Sequence, residues 1–364
     1  MLLETLAALS NRYGSDPALV LAGGGNTSVK DGGTMYVKAS GTALATIRPQ
    51  EFAAMDRAKL AAIMEKTYPV EDEPREAAAL ADLMDARLPG QGDKRPSVET
   101  LLHALFPERF VLHLHPARVN GMTCGKSGEA AVRRLFPDAV WIELCKPGYI
   151  LAKLCQTRMA EYKSQTGKNA TLLFLQNHGV FFAADTPEEL DRMLTRVIDT
   201  LRQAGTAEPD FTPCAAEDAA LGAQLAVLYS EGAAYTFCGG ADAVRFSQSR
   251  EALEPVAEPF SPDHIVYCKA YPLYLEQGAD IAAAFGAYRA QYGYAPKLVY
   301  VQNGGFYTLS DTLSQAQTAR LLAMDAVKIA VYSRDFGGAL PMTPEMTDFI
   351  VNWEVEAYRA KRAQ

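Results

Sequence analysis

His113 and His115 lie in the run Val111-Leu-His-Leu-His115, whose alternation fits a β-strand. Residues two apart on a strand share a face, so both imidazoles point the same way and form a two-point clamp for a metal ion. A third imidazole from the end of a neighbouring strand would complete a tripod for a divalent ion, most simply zinc. Three protein ligands also leave a coordination position for substrate. Of the chain's five histidines, His178 meets this need: it follows the short apolar run Thr171–Gln176, read as a buried strand, and precedes Gly179. Glu99 and His103 are spaced i, i+4 on a helix expected to open with Ser97 as its cap and to run through Leu105, so they share a face. A carboxylate beside a metal can remove a proton from a metal-polarised carbonyl compound; in an ordinary helix it is a first-turn glutamate favoured by the dipole. His103 is read as a hydrogen-bonding residue behind the ligands.

Positioning these groups takes a mixed order of elements. A first amphipathic helix is followed by the turn Gly23–Ser28, a strand around Met35–Lys38 and a second turn at Ser40-Gly41-Thr42. Both turns offer backbone N–H groups and hydroxyls without a bulky wall, which suits a phosphate, although such turns are also common hairpin connections. Lys38, Arg95 and Lys126 could add charge but default to solvated surface. Helices are expected over Phe52–Lys66, Glu76–Arg87, Gly128–Phe136, Met159–Gln165 and Pro187–Ala204, with an acidic loop at Val70–Arg75. Strands are expected over Phe110–His115 and Ala139–Leu144. Gly125-Lys126-Ser127 lacks the upstream glycine of a phosphate-binding loop, and Gly23–Gly25 leads into a strand, so neither signals a nucleotide.

The chain has 364 residues, enough for two ordinary cores, and a net charge of −8 without a Lys/Arg run, which excludes a nucleic-acid partner. Its apolar stretches are too short for a membrane span, and its N-terminus, with Glu4 and no basic stretch, does not resemble a signal peptide. Six cysteines without a C-x-x-C pair fit a reducing cytoplasm, each read as a small buried hydrophobe.

The stretch Ala204–Cys214 is rich in proline, glycine and acid and lacks periodicity, which places a domain boundary there: residues 1–205 form one domain and 215–364 another. The second half repeats part of the first. Leu298–Asp311 lies over Leu172–Asp185 without a gap, sharing Gln-Asn-x-Gly and a following helix, while Pro262-Asp263 and Cys268-Lys269 fall near Pro137-Asp138 and Cys145-Lys146. Gly304 stands where the first copy has His178, so the second half is expected to be structural.

Taken together, Gly23–Lys30, Val37–Thr42, Pro96–Ala104, His113–Pro116 and Asn177–Gly179 resemble the class II aldolase/adducin family in order and spacing, over roughly residues 15–205. The likeness is nearest to the aldolase part of rhamnulose-1-phosphate aldolase/short-chain dehydrogenase fusion proteins. This resemblance implies a three-layer α/β/α fold around a mixed sheet, with a smaller α/β domain after it. It also implies a Zn2+-type ion held by His113, His115 and His178, acid/base work by Glu99, and Asn26, Thr27, Ser40, Gly41 and Ser97 around a phosphate. The implied reaction is metal-dependent cleavage of a ketose 1-phosphate to dihydroxyacetone phosphate and an aldehyde, by a cytoplasmic homo-oligomer acting on a small sugar phosphate. An epimerase of the ribulose-5-phosphate type and an adducin-like scaffold are the alternatives. Residues 215–364, including Asp348–Glu356, resemble the extension between the two parts of the fusion proteins; the nicotinamide-binding domain is not matched, and no redox activity is expected.

Overall fold

The computed structural model describes residues 1–353, so part of Asp348–Glu356 lies outside the described residues. The chain divides into two compact units. Among the described residues one comprises Met1–Val119 and Glu129–Ala204; the other comprises residues 205–353 together with Asn120–Gly128, a segment the sequence reading assigned to the first domain. Among the described residues no helix is long and apolar enough to cross a membrane.

In the first unit the elements run α1 (Leu2–Gly14), β1 (Asn26–Asp31), β2 (Thr34–Lys38), β3 (Phe52–Asp56), α2 (Arg57–Glu65), α3 (Asp72–Asp85), α4 (Thr100–Leu105) and β4 (Phe110–Leu114). They continue with α5 (Ala117–Thr123), whose residues from Asn120 on count with the second unit, α6 (Gly128–Leu135), β5 (Val140–Ile142), α7 (Tyr149–Thr166), β6 (Leu172–Leu175), β7 (Gly179–Ala184) and α8 (Pro187–Ala204). The strands form one seven-stranded mixed sheet in the order β3-β2-β1-β4-β7-β6-β5, antiparallel except for β5 with β6. Alternation sorts its side chains into two cores. Val111, Leu173, Leu175, Phe181 and Ala183 face a cluster with α2, α3, α4 and α7 residues such as Leu60, Leu83, Leu102 and Leu151. Leu112, Phe174 and Phe182 turn to the other side, and the buried stripe Leu190, Leu194, Val197, Leu201 shows the matching spacing on α8. Helices therefore cover both faces, giving three layers.

Four boundaries differ from the sequence reading. Residues Asn26–Asp31 are a strand whose backbone pairs with β2 and β4, so the first hairpin turns at Gly32-Gly33 instead of at Gly23–Ser28. Phe52–Asp56 pairs with β2 as a strand; its helix-forming alanines yield to a free sheet edge, and Asp56 then caps α2 by accepting from the Ala58 and Lys59 amides. α3 opens earlier, at Asp72, with Pro74 tolerated in its first turn. α7 extends back to Tyr149, behind Gly148 at φ 106°.

In the second unit the elements are α9 (Ala219–Tyr229), β8 (Ala234–Cys238), α10 (Ala241–Phe246), α11 (Arg250–Leu253), α12 (Pro262–Cys268) and β9 (Leu273–Leu275), followed by α13 (Ile281–Tyr292), β10 (Leu298–Val301), β11 (Gly305–Ser310), α14 (Leu313–Tyr332) and α15 (Pro344–Asn352). Its four-stranded sheet has the order β8-β11-β10-β9, which reproduces β4-β7-β6-β5 strand for strand, including the single parallel pair. The details repeat as well. Asn177 and Asn303 both adopt left-handed backbone, at φ 54° and 59°. The Gln176 and Gln302 side chains each accept from a backbone amide beyond the parallel strand, Leu144 and Gln277, at 3.0 Å. A Cβ on Gly179 or Gly305 would strike the carbonyl oxygen of Leu114 or Cys238, at 2.5 and 2.2 Å. The second unit is a half-repeat of the first. The register corrects two of the proposed matches: β9 takes the place of β5, so Cys268-Lys269 precedes the strand that Cys145-Lys146 follows, and Pro262 opens a helix whereas Pro137 leads into β5. The cysteines are not all buried, since Cys214 is exposed and Cys145 half-buried.

Lys30, at the far end of β1, is buried and donates to the Glu108 carbonyl at 2.9 Å. Burial, with help from the Arg57 charge, pushes its pKa down to about 7. The unfolded chain therefore holds this proton more tightly than the folded one, and stability should rise between about pH 7 and pH 10 at up to about 1 kcal/mol per pH unit. Urea denaturation across that window should show a shallower rise in Lys30→Met; an equal rise in both proteins would contradict this.

Candidate metal centre

Three adjacent strands place Asn26, His113 and Phe181 in one row, because Asn26 pairs with His113 on one side and Phe181 pairs with it on the other. His115 follows on the same face of the chain leaving β4, and its amide is fixed by the Leu19 carbonyl at 3.2 Å. His178 sits in the tight connection between β6 and β7, which the left-handed Asn177 makes possible. The three ligand atoms of these histidines lie within 4.8 Å of one another. Tertiary structure thus assembles the set that the sequence pointed to.

The tautomer of His113 follows from its surroundings. Its Nδ1 donates to the Val180 carbonyl at 3.0 Å, and burial lowers its pKa to about 4, so the ring is neutral and Nε2 carries a lone pair. Nε2 lies 2.8 Å from His115 Nε2 and 3.1 Å from Glu99 Oε1. The same Glu99 oxygen is 2.9 Å from His178 Nε2. Burial alone would push the Glu99 carboxyl up; positive charge on the His113 or His178 imidazole outweighs it and holds it well below the usual range, a part that a bound cation would take beside neutral rings. Glu99 Oε1 is fully buried and has no hydrogen-bond donor of its own. Lone pairs and a carboxylate oxygen converging on one buried point fit a divalent cation: neutral imidazole nitrogens with an anionic oxygen are the donors such an ion prefers, and the fixed Nδ1 bond is the usual support of a ligating histidine.

Behind the ligands, Phe181 stacks on His113 with centroids 4.0 Å apart and planes at 16°. Nothing in the apolar pattern of β7 distinguished Phe181 from its neighbours. His103 does not face the ligand point: its Nδ1 meets Ser28 Oγ at 2.8 Å and its Nε2 meets Asn26 Oδ1. Ser28 would have been legible had β1 been read as a strand, since it lies two residues from Asn26. The helix begins at Thr100 with Glu99 at its N-cap position, and Ser97 instead forms the preceding turn, its hydroxyl accepting from the Glu99 amide at 3.3 Å.

The five residues carried over for a phosphate fall in three places. Asn26 and Ser97 are buried against Glu99, while Thr27, on the opposite face of β1, gives its hydroxyl to a 2.7 Å bond with Ser10 of α1. Ser40 and Gly41 form a half-exposed turn, Gly41 at φ 84°, that holds the segment before Ser97 through the bond from the Ser40 amide to the Arg95 carbonyl at 2.7 Å. Lys38 is buried and donates to the Gly23 carbonyl at 3.0 Å, so it is not solvated surface.

Gly179 lets β4 and β7 approach at the site itself: a Cβ there would also lie 2.7 Å from the His115 ring. Gly179→Ala should cost about 1–3 kcal/mol, since a backbone carbonyl cannot yield as a side-chain tip can. Denaturation together with metal titration checks this, and unchanged stability with unchanged metal affinity would refute it. In the second unit Phe237 pairs with Tyr307 as His113 pairs with Phe181, so Phe237, Gly239 and Gly304 stand at the three ligand positions. None of these three can ligate a metal through its side chain.

A three-layer mixed sheet carrying one half-buried triad of imidazoles and a facing carboxylate defines a domain equipped to hold a divalent ion. A family model described as Class II Aldolase and Adducin N-terminal domain matches residues 4–204 of the 364-residue chain, and the chain belongs to that family. An uncharacterized oxidoreductase, YuxG, of Bacillus subtilis (strain 168) is 27% identical over 210 residues, which cover 55% of this chain and 29% of that relative. The chain thus spans less than a third of that relative's length. Among solved structures, the N-terminal class II aldolase domain of a conserved protein from Thermoplasma acidophilum shares 28% identity at a TM-score of 0.46, covering 54% of this chain and 91% of that one. The L-fuculose-1-phosphate aldolase of Thermus thermophilus shares 16% identity at a TM-score of 0.36, covering 55% of this chain and 94% of that one.

Proposed function

We propose that this chain is a metal-dependent aldolase that cleaves a ketose 1-phosphate, of the rhamnulose or fuculose type, to dihydroxyacetone phosphate and an aldehyde. The observation that carries the reading is the orphaned Glu99 oxygen facing three imidazoles, two of them within 3.1 Å of it. His113, His115 and His178 would hold the ion, which when bound supplies Lewis-acid polarisation of a carbonyl oxygen.

The chain's own groups do the rest. Glu99 is held beside that point, and burial keeps bulk water from it, so a proton passes only through the carboxyl. As the C3–C4 bond breaks, the Glu99 carboxylate takes the C4 hydroxyl proton and C4 becomes the aldehyde; the electron pair left on C3 then takes that proton from the Glu99 carboxyl, so one proton moves overall from O4 to C3 and Glu99 ends as a carboxylate. His178 and His115, the two partly exposed rings of the three, mark the side from which substrate enters. The Ser40 hydroxyl and Gly41 amide, which make no hydrogen bond among the described residues, are the donors left for a phosphate.

The test is a screen of ketose 1-phosphates with Zn2+-loaded protein for release of dihydroxyacetone phosphate. Release of this product with any member of the class supports the reading. Inversion at a carbinol carbon without cleavage would establish an epimerase instead, and protein that binds neither metal nor sugar phosphate would favour a scaffold.

A further inference from the structure

The second unit carries a groove of about 560 Å³, within the size range of small-molecule sites. It lies between α13 and the chain from Arg250 to Tyr274, and its walls include Tyr271, Tyr274, Tyr288 and Tyr292. Tyr288 and Tyr292 are spaced i, i+4 on α13 and so share a face, with ring centroids 4.6 Å apart. Tyr271 stacks on Tyr292 at 4.9 Å with planes at 26°. The hydroxyls of the two buried rings are spent on the backbone: Tyr288 donates to the Tyr271 carbonyl at 2.6 Å and Tyr274 to the Ser247 carbonyl at 3.2 Å. The walls therefore offer ring bodies more than hydroxyls.

The polar groups that remain are mainly acceptors. Glu258 lines the groove, is exposed, and has no hydrogen bond or ion pair among the described residues. The Gln291 amide nitrogen donates to the Tyr292 hydroxyl at 3.0 Å, which leaves the Gln291 carbonyl oxygen as an acceptor. Among the described residues of the lining the one cation, Arg250, is already engaged: its Nε donates to Glu276 at 2.8 Å, and its guanidinium lies 5.2 Å over the Tyr274 ring. The segment Arg250–Glu258 sets three glutamates against that arginine. Burial, and then the negative charges of Asp348 and Glu258, push the Tyr271 phenol above its usual range.

The negative face of an aromatic ring, a free carboxylate and a carbonyl oxygen all favour positive charge. The tyrosine cluster shows this preference within the chain. Arg250 covers Tyr274, and the Lys269 ammonium lies 5.1 Å from the centroid of Tyr294, a ring that stacks on Tyr292. Tyr271, Tyr288 and Tyr292 carry no such cation among the described residues. We propose that this groove binds a small organic ammonium ion, seated on the Tyr271 and Tyr292 rings with Glu258 as its counter-charge. The second unit then has a ligand of its own, although it lacks the imidazoles of the first, and the site does not depend on the aldolase reading.

The experiment is calorimetric titration of the full chain with choline and with neohexyl alcohol, in which carbon replaces the ammonium nitrogen and the charge is lost. Choline should bind in the millimolar range or tighter, and at least about 10-fold more tightly than the alcohol. Glu258→Gln and Tyr292→Leu should each weaken choline by about 3- to 30-fold, whereas Tyr292→Phe, which keeps the ring, should retain most of the affinity. Because Glu258 is exposed, its replacement should leave the thermal transition unchanged, so a loss of binding there is not a loss of fold. Equal affinity for choline and the alcohol would make the groove a plain apolar pocket. Undiminished choline binding in both Glu258→Gln and Tyr292→Leu would place the cation elsewhere. Either result overturns the proposal, as does the absence of choline binding; a neutral hexose that binds and is lost in Tyr292→Leu would reassign the groove to sugars.

Discussion

Replacing any one of His113, His115 and His178 with alanine should abolish both stoichiometric metal binding and turnover. Removing one of three imidazoles leaves two, and a two-point clamp does not hold a divalent ion against water at the concentrations an assay uses. The loss should be steepest for His113, whose ring is completely buried, stacked on Phe181 and fixed through Nδ1. Such a ring is pre-organised, so little entropy is spent when it ligates. Elemental analysis of wild-type protein should give one ion per chain, because the half-repeat offers only Phe237, Gly239 and Gly304 at the corresponding positions. A His178→Ala protein with full metal occupancy would exclude the tripod, and two ions per chain would show a site that the second unit's residues do not explain.

The second large effect belongs to Glu99→Gln. The substitution preserves shape and can still receive from Asn26, but it removes the group that carries the proton. Turnover should fall by a factor on the order of 10² to 10⁴ while the fold and thermal transition stay near those of the wild type. The change also removes the negative oxygen 3.1 and 2.9 Å from the His113 and His178 nitrogens, so metal affinity should weaken, though far less than on loss of an imidazole. Single-turnover kinetics at saturating metal separate the two contributions. Near-normal turnover under those conditions would move the proton-transfer role to another residue.

The candidate site was legible because its signals are local and chemical. H-x-H on a strand and a histidine beside glycine at a strand exit each declare a direction, and Glu99 with His103 declares a helical face. What the sequence misplaced were groups whose role depends on which edge a strand finds. Gly23–Ser28 has turn composition, yet Asn26–Asp31 became a strand because β2 and β4 both present unpaired edges to it. That pairing turned Thr27 away toward Ser10 and brought Asn26 and Ser28 to His103, which separates residues that the family resemblance had grouped around one phosphate.

The sequence by itself determined the three-histidine cluster, the facing carboxylate, the family and the existence of a repeated half. Each of these is written in residue types at fixed spacing, where steric periodicity and coordination chemistry leave few alternatives. Only the tertiary structure decided that Lys38 is buried, that Asn120–Gly128 clusters with the second unit, that the repeat extends over four strands and not two, and that the Asn26 amide bonds to Glu99. The physical reason is the same throughout: an imidazole's capacity to ligate is intrinsic to the residue, whereas burial, strand pairing and the partner of a side-chain amide are set by neighbours far away along the chain.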